Sequence, residues 1–219
     1  MMPVISFDLD GTIVKPDFNE LIWLKVVPSL YARKYGITFE EAKNRVIKAY
    51  SGIGEGDVRW YRLDFWLERF QLDLDQNELL EKYADKVEVY PEVVSVLKRL
   101  RWNFRMIISS GMSDEFIAVK LRKCNLEKYF DQMFSAASFL QVVKNVRFYR
   151  SICAALNLKP DNLIHIGDHY QMDYLIPRQV GIDAYYLDRD HSRCGVKKRV
   201  GDLVEFAQKM GVSIPADSS

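Results

Sequence analysis

From Tyr90-Pro91 onward the sequence alternates between helical spacing and short apolar runs, and this alternation restricts the fold more than any other feature. A helix is expected over Glu92–Leu100, a strand over Phe104–Ser109 and a helix over Asp114–Cys124. Strand-like runs follow at Met133–Ser135, Leu163–Ile166 and Ala184–Leu187, with helices near Val146–Leu156, Met172–Val180 and Val200–Met210. Strands that take turns with helices argue for a doubly wound α/β parallel sheet, whose ligands sit at the carboxyl ends of the strands. Another strand of this kind, Val4–Phe7, opens the chain.

Between that first strand and the rest lies a different pattern, helical and rich in aromatics, with no convincing strand. Its helices are expected at Phe18–Tyr35, Phe39–Tyr50, Asp57–Gln71 and Glu78–Lys86. Thr38-Phe39-Glu40-Glu41 reads as a capping box, Asp57 as a cap for the third helix, and Pro28 as a residue that kinks or splits the first. The expected organisation is therefore a helical insertion at 15–87 in a sheet domain formed by 1–14 and 88–219, with Pro215–Ser219 as a frayed tail.

A chain of 219 residues with 48% hydrophobic and 28% charged residues can bury a real core and does not match disordered or collagen-like composition. Lys+Arg 31 against Asp+Glu 30 leaves a net charge of +1, without the basic excess that suits nucleic-acid or membrane-surface binding, so neither partner is expected. The longest uncharged stretch, Gln132–Val143, is well short of the roughly 20 apolar residues of a spanning helix. No basic residue precedes Asp8, which does not fit a secretory signal, and a cytoplasmic protein is expected. Cys124, Cys153 and Cys194 are too scattered for a disulfide framework and read as reduced packing residues.

Four short signals carry chemistry. Asp8 and Asp10, two positions apart at the end of a strand, share a face and suit Mg²⁺, while a carboxylate can also act as a nucleophile. The plain alternative is a turn that favours aspartate and glycine. Ser109-Ser110-Gly111 ends a strand before a helix, where free amides and a hydroxyl bind phosphate oxygens, although serine and glycine end many strands. Lys144 precedes a helix, a position where a lone lysine is more often a surface residue. Gly167-Asp168, with Asp173 further on, supplies an acidic pair that either completes a metal site or simply forms a turn and a helix start.

Taken in order, these residues resemble the haloacid dehalogenase-like hydrolase superfamily, in its subclass with a helical cap inserted after the first motif. Asp8-Leu9-Asp10-Gly11-Thr12 is similar to motif one, Ser109 to motif two, Lys144 to motif three, and Gly167-Asp168 through Asp173 to motif four. Tyr90-Pro91-Glu92, Leu126–Asp131 and Val180-Gly181-Ile182 match more softly, so the resemblance spans 1 to about 190. It departs from the pattern where Asn145, not proline, follows Lys144, and where Glu92 follows Pro91.

The resemblance implies a Rossmann-like core under a helical cap and a Mg²⁺-dependent phosphatase acting on a small phosphorylated metabolite. Asp8 would form an aspartyl-phosphate, and Asp10 would protonate the leaving alcohol and then activate water. Asp8, the Asp10 carbonyl and Asp168 would hold the metal, with Asp173 beside them. Thr12, Ser109, Ser110 and Lys144 would contact the phosphate. Dehalogenases of the superfamily lack the second aspartate of motif one, so Asp10 favours phosphate chemistry. A phosphomutase shares every one of these residues; a phosphonate hydrolase would need a cap lysine, for which Lys25, Lys34, Lys43 and Lys48 are candidates. Outside enzymes, the alternative is a non-catalytic phosphate-binding or regulatory protein.

Within the cap, Ser51–Gly56 reads either as a substrate loop or as a plain connection. Arg59, Arg62 and Arg69 either clasp a second anion of the substrate or are solvated, the simpler reading. Trp23, Tyr31, Trp60, Phe65 and Trp66 read as cap core, His165 as buried in a strand, His191 as exposed, and His169 as a turn residue with or without a role at the site.

Overall fold

The computed structural model describes residues 2–214, so the expected tail at Pro215–Ser219 lies outside the described residues. Its sheet comprises β1 (Val4–Phe7), β2 (Arg105–Ser110), β3 (Gln132–Ser135), β4 (Leu163–Gly167), β5 (Asp183–Leu187) and β6 (Arg199–Val200). They are arranged in the order β3-β2-β1-β4-β5-β6, and every pairing is parallel. Phe7 is level with Ile108 on one side and Ile166 on the other, so the carboxyl ends of β1, β2 and β4 lie at one edge. The chain leaves β1 toward β2 and β3 and later returns to the opposite side at β4. The reversal opens the crevice in which such sheets bind ligands.

The helical insertion follows β1. α1 (Asp17–Leu21) runs through a π-helical turn, Ile22–Val26, into α2 (Val27–Tyr35), followed by α3 (Phe39–Ile53), α4 (Leu63–Arg69) and α5 (Gln76–Lys82). The Thr38–Glu41 capping box forms as expected, and Asp57 accepts from the Arg59 amide. Pro28 does not split the first helix. The hydrogen-bond register widens just before it, the Val27 amide reaching the Ile22 carbonyl, and the helix continues. The expected third helix does break, because Arg62 is extended (φ −107°, ψ 107°) and separates a 3₁₀ turn, Val58–Tyr61, from α4. α5 starts earlier than expected, at Gln76, since Asp75 accepts from the amides of Asn77 and Glu78. At the centre of the cap Trp66 is fully buried, with the Tyr50, Phe65 and Phe70 rings 4.6, 5.1 and 5.5 Å away.

α6 (Val93–Leu100), α7 (Asp114–Lys123), α8 (Val146–Ala155), α9 (Ile176–Val180) and α10 (Leu203–Lys209) belong to the sheet domain. Strand alternation sends Ile5 and Phe7 to one face, where Phe7 meets Phe130 and Phe206 edge-on at 6.1 Å. Val4, Ile107 and Leu163 pack on the other face against Phe148 and Ile152 of α8. Val200, expected to begin the last helix, instead pairs with Leu187, and Asp202 caps α10 two residues later. Two backbone segments join cap and sheet side by side: the Lys15 amide bonds the Glu88 carbonyl at 2.8 Å and the Tyr90 amide the Ile13 carbonyl at 3.2 Å. Among the described residues no helix is long and apolar enough to cross a membrane.

Trp66→Ala should destabilise the protein by about 3–5 kcal/mol, as expected for a large aromatic removed from a core. Trp102→Ala, at a site 81% exposed, should change stability by less than about 0.5 kcal/mol. Denaturant unfolding of the two variants measures both, and equal effects would contradict this division.

Candidate active site

Asp8 leaves β1 with its amide still bonded to the Ile166 carbonyl at 2.8 Å, so its position is fixed by strand pairing. The turn after it bends at Gly11, whose φ is +77°; a Cβ there would lie 2.1 Å from Asp168 Oδ2. A Cβ on Gly167 would lie 2.5 Å from Asp173 Cγ. Glycine at these two positions lets the ends of β1 and β4 close together. As a result one carboxylate oxygen each from Asp8, Asp168 and Asp173 lies within 4.8 Å of the others.

Lys144 is not a surface residue: it is 3% exposed, its Nζ lies 2.7 Å from Asp8 Oδ1, and it also pairs with Asp173. Asp173, itself 1% exposed, has both oxygens engaged. The Tyr149 hydroxyl and His165 Nε2 converge on Oδ1 at 3.2 and 3.1 Å, and the His169 amide donates to Oδ2 at 3.1 Å. His165 Nδ1 contacts Ser6 Oγ at 2.9 Å, which in turn contacts Ser109 Oγ at 2.7 Å.

Burial alone would lower the pKa of Lys144, but the charges of Asp173 and Asp8 outweigh it and the ammonium form is held firmly. Burial pushes Asp8 up, opposed by Lys144 and reinforced by the two neighbouring carboxylates. Asp168 opens to the cleft, yet desolvation by the surrounding walls and the Asp173 charge push it up to about 7. For Asp173 burial acts upward, but Lys144 and His165 together hold it below the usual carboxylate range.

Lys120 escapes the sequence reading. It is fully buried on α7, and its Nζ lies 2.5 Å from Asp10 Oδ1 and 2.7 Å from Asn19 Oδ1 of the cap. Burial lowers its pKa, with Asp10 acting in opposition. A signal was available: Lys120 falls on the same helical stripe as the buried Phe116 and Ile117, where a lysine needs a partner. The other Asp10 oxygen, Oδ2, is buried without a partner. Arg189, also missed, donates to the Gly11 and Thr12 carbonyls at 3.2 and 2.9 Å. It lies 3.5 Å from the centre of the Tyr90 ring, clamping the motif-one turn from outside.

A cavity of about 460 Å³ between sheet and cap has Asp8, Asp10, Asp168, Asp173, Lys144 and Ser110 along its core side. Two residues expected to contact phosphate lie away from the cavity lining. Ser109 points to the opposite face from Ser110 because consecutive strand residues alternate, and its hydroxyl is turned to Ser6. Thr12 is fully buried, with Oγ1 3.4 Å from Asp8 Oδ2 rather than at the cavity. In the cap, Ser51 lines the cavity from the last turn of α3 instead of a loop. Trp23 and Trp60 line it as well as packing the cap, and His169 lines it from the turn. Arg59 and Arg62 pair with Asp57 and Asp64, Arg69 lies over Trp66, and Lys25, Lys34, Lys43 and Lys48 are absent from the lining.

The donors suit a hard divalent cation such as Mg²⁺. Asp8, Asp168 and Asp173 present oxygen alone, and burial, reinforced by the neighbouring carboxylates, raises the pKa of both Asp8 and Asp168, a penalty that a cation between them would relieve.

The sequence pattern of the haloacid dehalogenase-like hydrolase family matches residues 2–197. The chain is 26% identical over 165 residues to the GMP/IMP nucleotidase YrfG of Escherichia coli, covering 75% of this chain and 73% of that protein. The crystal structure of a HAD phosphatase from Thermococcus onnurineus superimposes with a TM-score of 0.86 at 26% identity, covering 98% of this chain and 100% of the other. The magnesium-bound HAD-hydrolase YfnB of Bacillus subtilis, at 16% identity and a TM-score of 0.68 over 96% of this chain and 99% of its own, shares the fold.

Gly11→Ala should weaken Mg²⁺ binding at least about tenfold, because the new Cβ displaces the Asp168 carboxylate. Gly52→Ala, with open space around its Cβ, should leave binding unchanged. Titration calorimetry distinguishes them; full affinity in Gly11→Ala would contradict the cation position.

Proposed function

The chain belongs to the haloacid dehalogenase-like hydrolases, and we propose that it is a Mg²⁺-dependent phosphatase that releases phosphate from a small phosphorylated metabolite through an aspartyl-phosphate on Asp8. Lys144 carries the proposal: a buried ammonium placed 2.7 Å from a buried carboxylate, at the end of a cavity, suits an anionic group brought against an anionic nucleophile. The names of two relatives, a nucleotidase and a phosphatase, support the same reaction type.

A carboxylate oxygen of Asp8 attacks phosphorus as the bond from phosphorus to the leaving oxygen breaks. Lys144, the Ser110 hydroxyl, itself held by the Met112 amide at 3.2 Å, and the Gly111 amide hold the phosphate oxygens in line. Asp10, fixed through Oδ1 by Lys120, has Oδ2 free to give a proton to the leaving alkoxide. The same oxygen then takes a proton from water, which attacks phosphorus and breaks its bond to Asp8, restoring the Asp8 carboxylate and the protonated Asp10. Asp8 and Asp168, with Asp173 beside them, would hold Mg²⁺, which would supply positive charge against the transferred group. Asp173 keeps Lys144 and the Asp168 turn in place. The cap closes over the strand ends and excludes water.

Phosphate release from a panel of phosphomonoesters tests the proposal. Release should require Mg²⁺, stop with chelator and vanish in Asp8→Asn; retained turnover in that variant would sink the nucleophile. Asp10→Asn should slow poor leaving groups by on the order of 10²–10⁴ and an activated aryl phosphate much less. Equal losses for both would contradict proton transfer by Asp10.

A further inference from the structure

We infer that the cavity selects phosphomonoesters whose leaving group carries a flat aromatic ring system and no second anionic group, a choice of substrate class that rests on the phosphatase reading of the site. Trp23, Tyr50 and Trp60 line the cap side as an aromatic cluster set edge to face, with ring centres 5.7 Å apart at 86° from Trp23 to Tyr50 and 6.0 Å apart at 66° from Tyr50 to Trp60. Trp23 is backed by Phe116, stacked at 5.7 Å and 10°, so α7 of the core holds this ring in place. Tyr61 continues the wall down to the phosphate end, within 3.5 Å of where a Gly111 Cβ would lie. A ring system carried on the ester of a phosphate at Lys144 therefore meets aromatic surface beyond the catalytic end. Such surface accepts aromatic rings and leaves most hydroxyls of a bare sugar without a partner.

Charge argues for the second half of the inference. Among the described residues lining the cavity, the cap supplies Asn19 and Glu20 but no lysine, arginine or histidine. The three arginines that could have reached in are paired with Asp57 and Asp64 or lie over Trp66. A second phosphate or a carboxylate would be desolvated against rings and repelled by Glu20 with no counter-charge. Glu20 can instead accept hydrogen bonds from ring N–H groups or sugar hydroxyls. The volume, about 460 Å³, is within the ordinary range for small-molecule sites.

The test compares adenosine, guanosine and uridine 5′-monophosphates with ribose 5-phosphate and with the matching diphosphates. It measures kcat/KM in the wild type with Mg²⁺ and equilibrium binding to Asp8→Asn. The best monophosphate should exceed ribose 5-phosphate, and its own diphosphate, by about tenfold or more in both measurements. Trp60→Leu, which keeps apolar volume but removes the ring, should shrink the first ratio by on the order of five- to a hundred-fold. If that variant fails a melting check, the wild-type ratios decide alone. Turnover that needs Asp8 but treats ring and bare sugar alike, or accepts the diphosphate equally, overturns the inference and leaves the phosphatase standing. Ring preference in binding without turnover of any compound supports the cavity inference and removes the phosphatase reading. Neither preference nor turnover overturns both.

Discussion

Lys144 brings one ammonium group between two buried carboxylates, Asp8 and Asp173, that would otherwise repel each other across the ends of β1 and β4. Removing an ion from water costs several kcal/mol even after relaxation, and such a cluster persists only when each member has partners. The surroundings supply them: Tyr149, His165 and the His169 amide all engage Asp173. From His165 the network runs through Ser6 to Ser109, so polar side chains of three adjacent strands are joined beneath the site. The sheet's ordinary preference for apolar residues gives way here to a polar layer whose purpose is geometric, since it fixes the height and direction of the acids.

A second ion pair reaches the opposite way. Lys120 joins Asp10 in the core to Asn19 in the cap through one nitrogen, making the position of the acid depend on where the first cap helix stands. Phe116 works from the same helix, meeting Phe18 edge-on and Trp23 face-on. α7 thus supports both Asp10 and a wall of the cavity, so one element sets the position of each.

The sheet and the helical insertion were legible because their periodicities differ and because motif-one and motif-four acids end apolar runs. What escaped the sequence reading depends on direction rather than spacing. Ser109 and Ser110 are chemically alike, and only the register of β2 decides which faces the cavity. Lys144 is reached only through the family resemblance, because its spacing alone reads as a surface lysine and the carboxylates around it come from distant strands. Lys120 and Arg189 reach their partners across 110 and 178 positions of sequence respectively. The broken helix at Arg62 and the strand at Val200 reflect tertiary contacts overriding local pattern.

The π-helical turn at Ile22–Val26 holds Trp23 at the cavity while Pro28 sits in the helix that follows. A turn bonded at i→i+5 takes in roughly one residue more than an α-turn. Losing one residue there would let the helix run as continuous α with its two flanks close to their present phase, whereas a residue gained or lost in a plain α-helical stretch turns one flank by about 100° against the other. The wide turn thus takes up one residue of helix length while the segments on either side keep their facing.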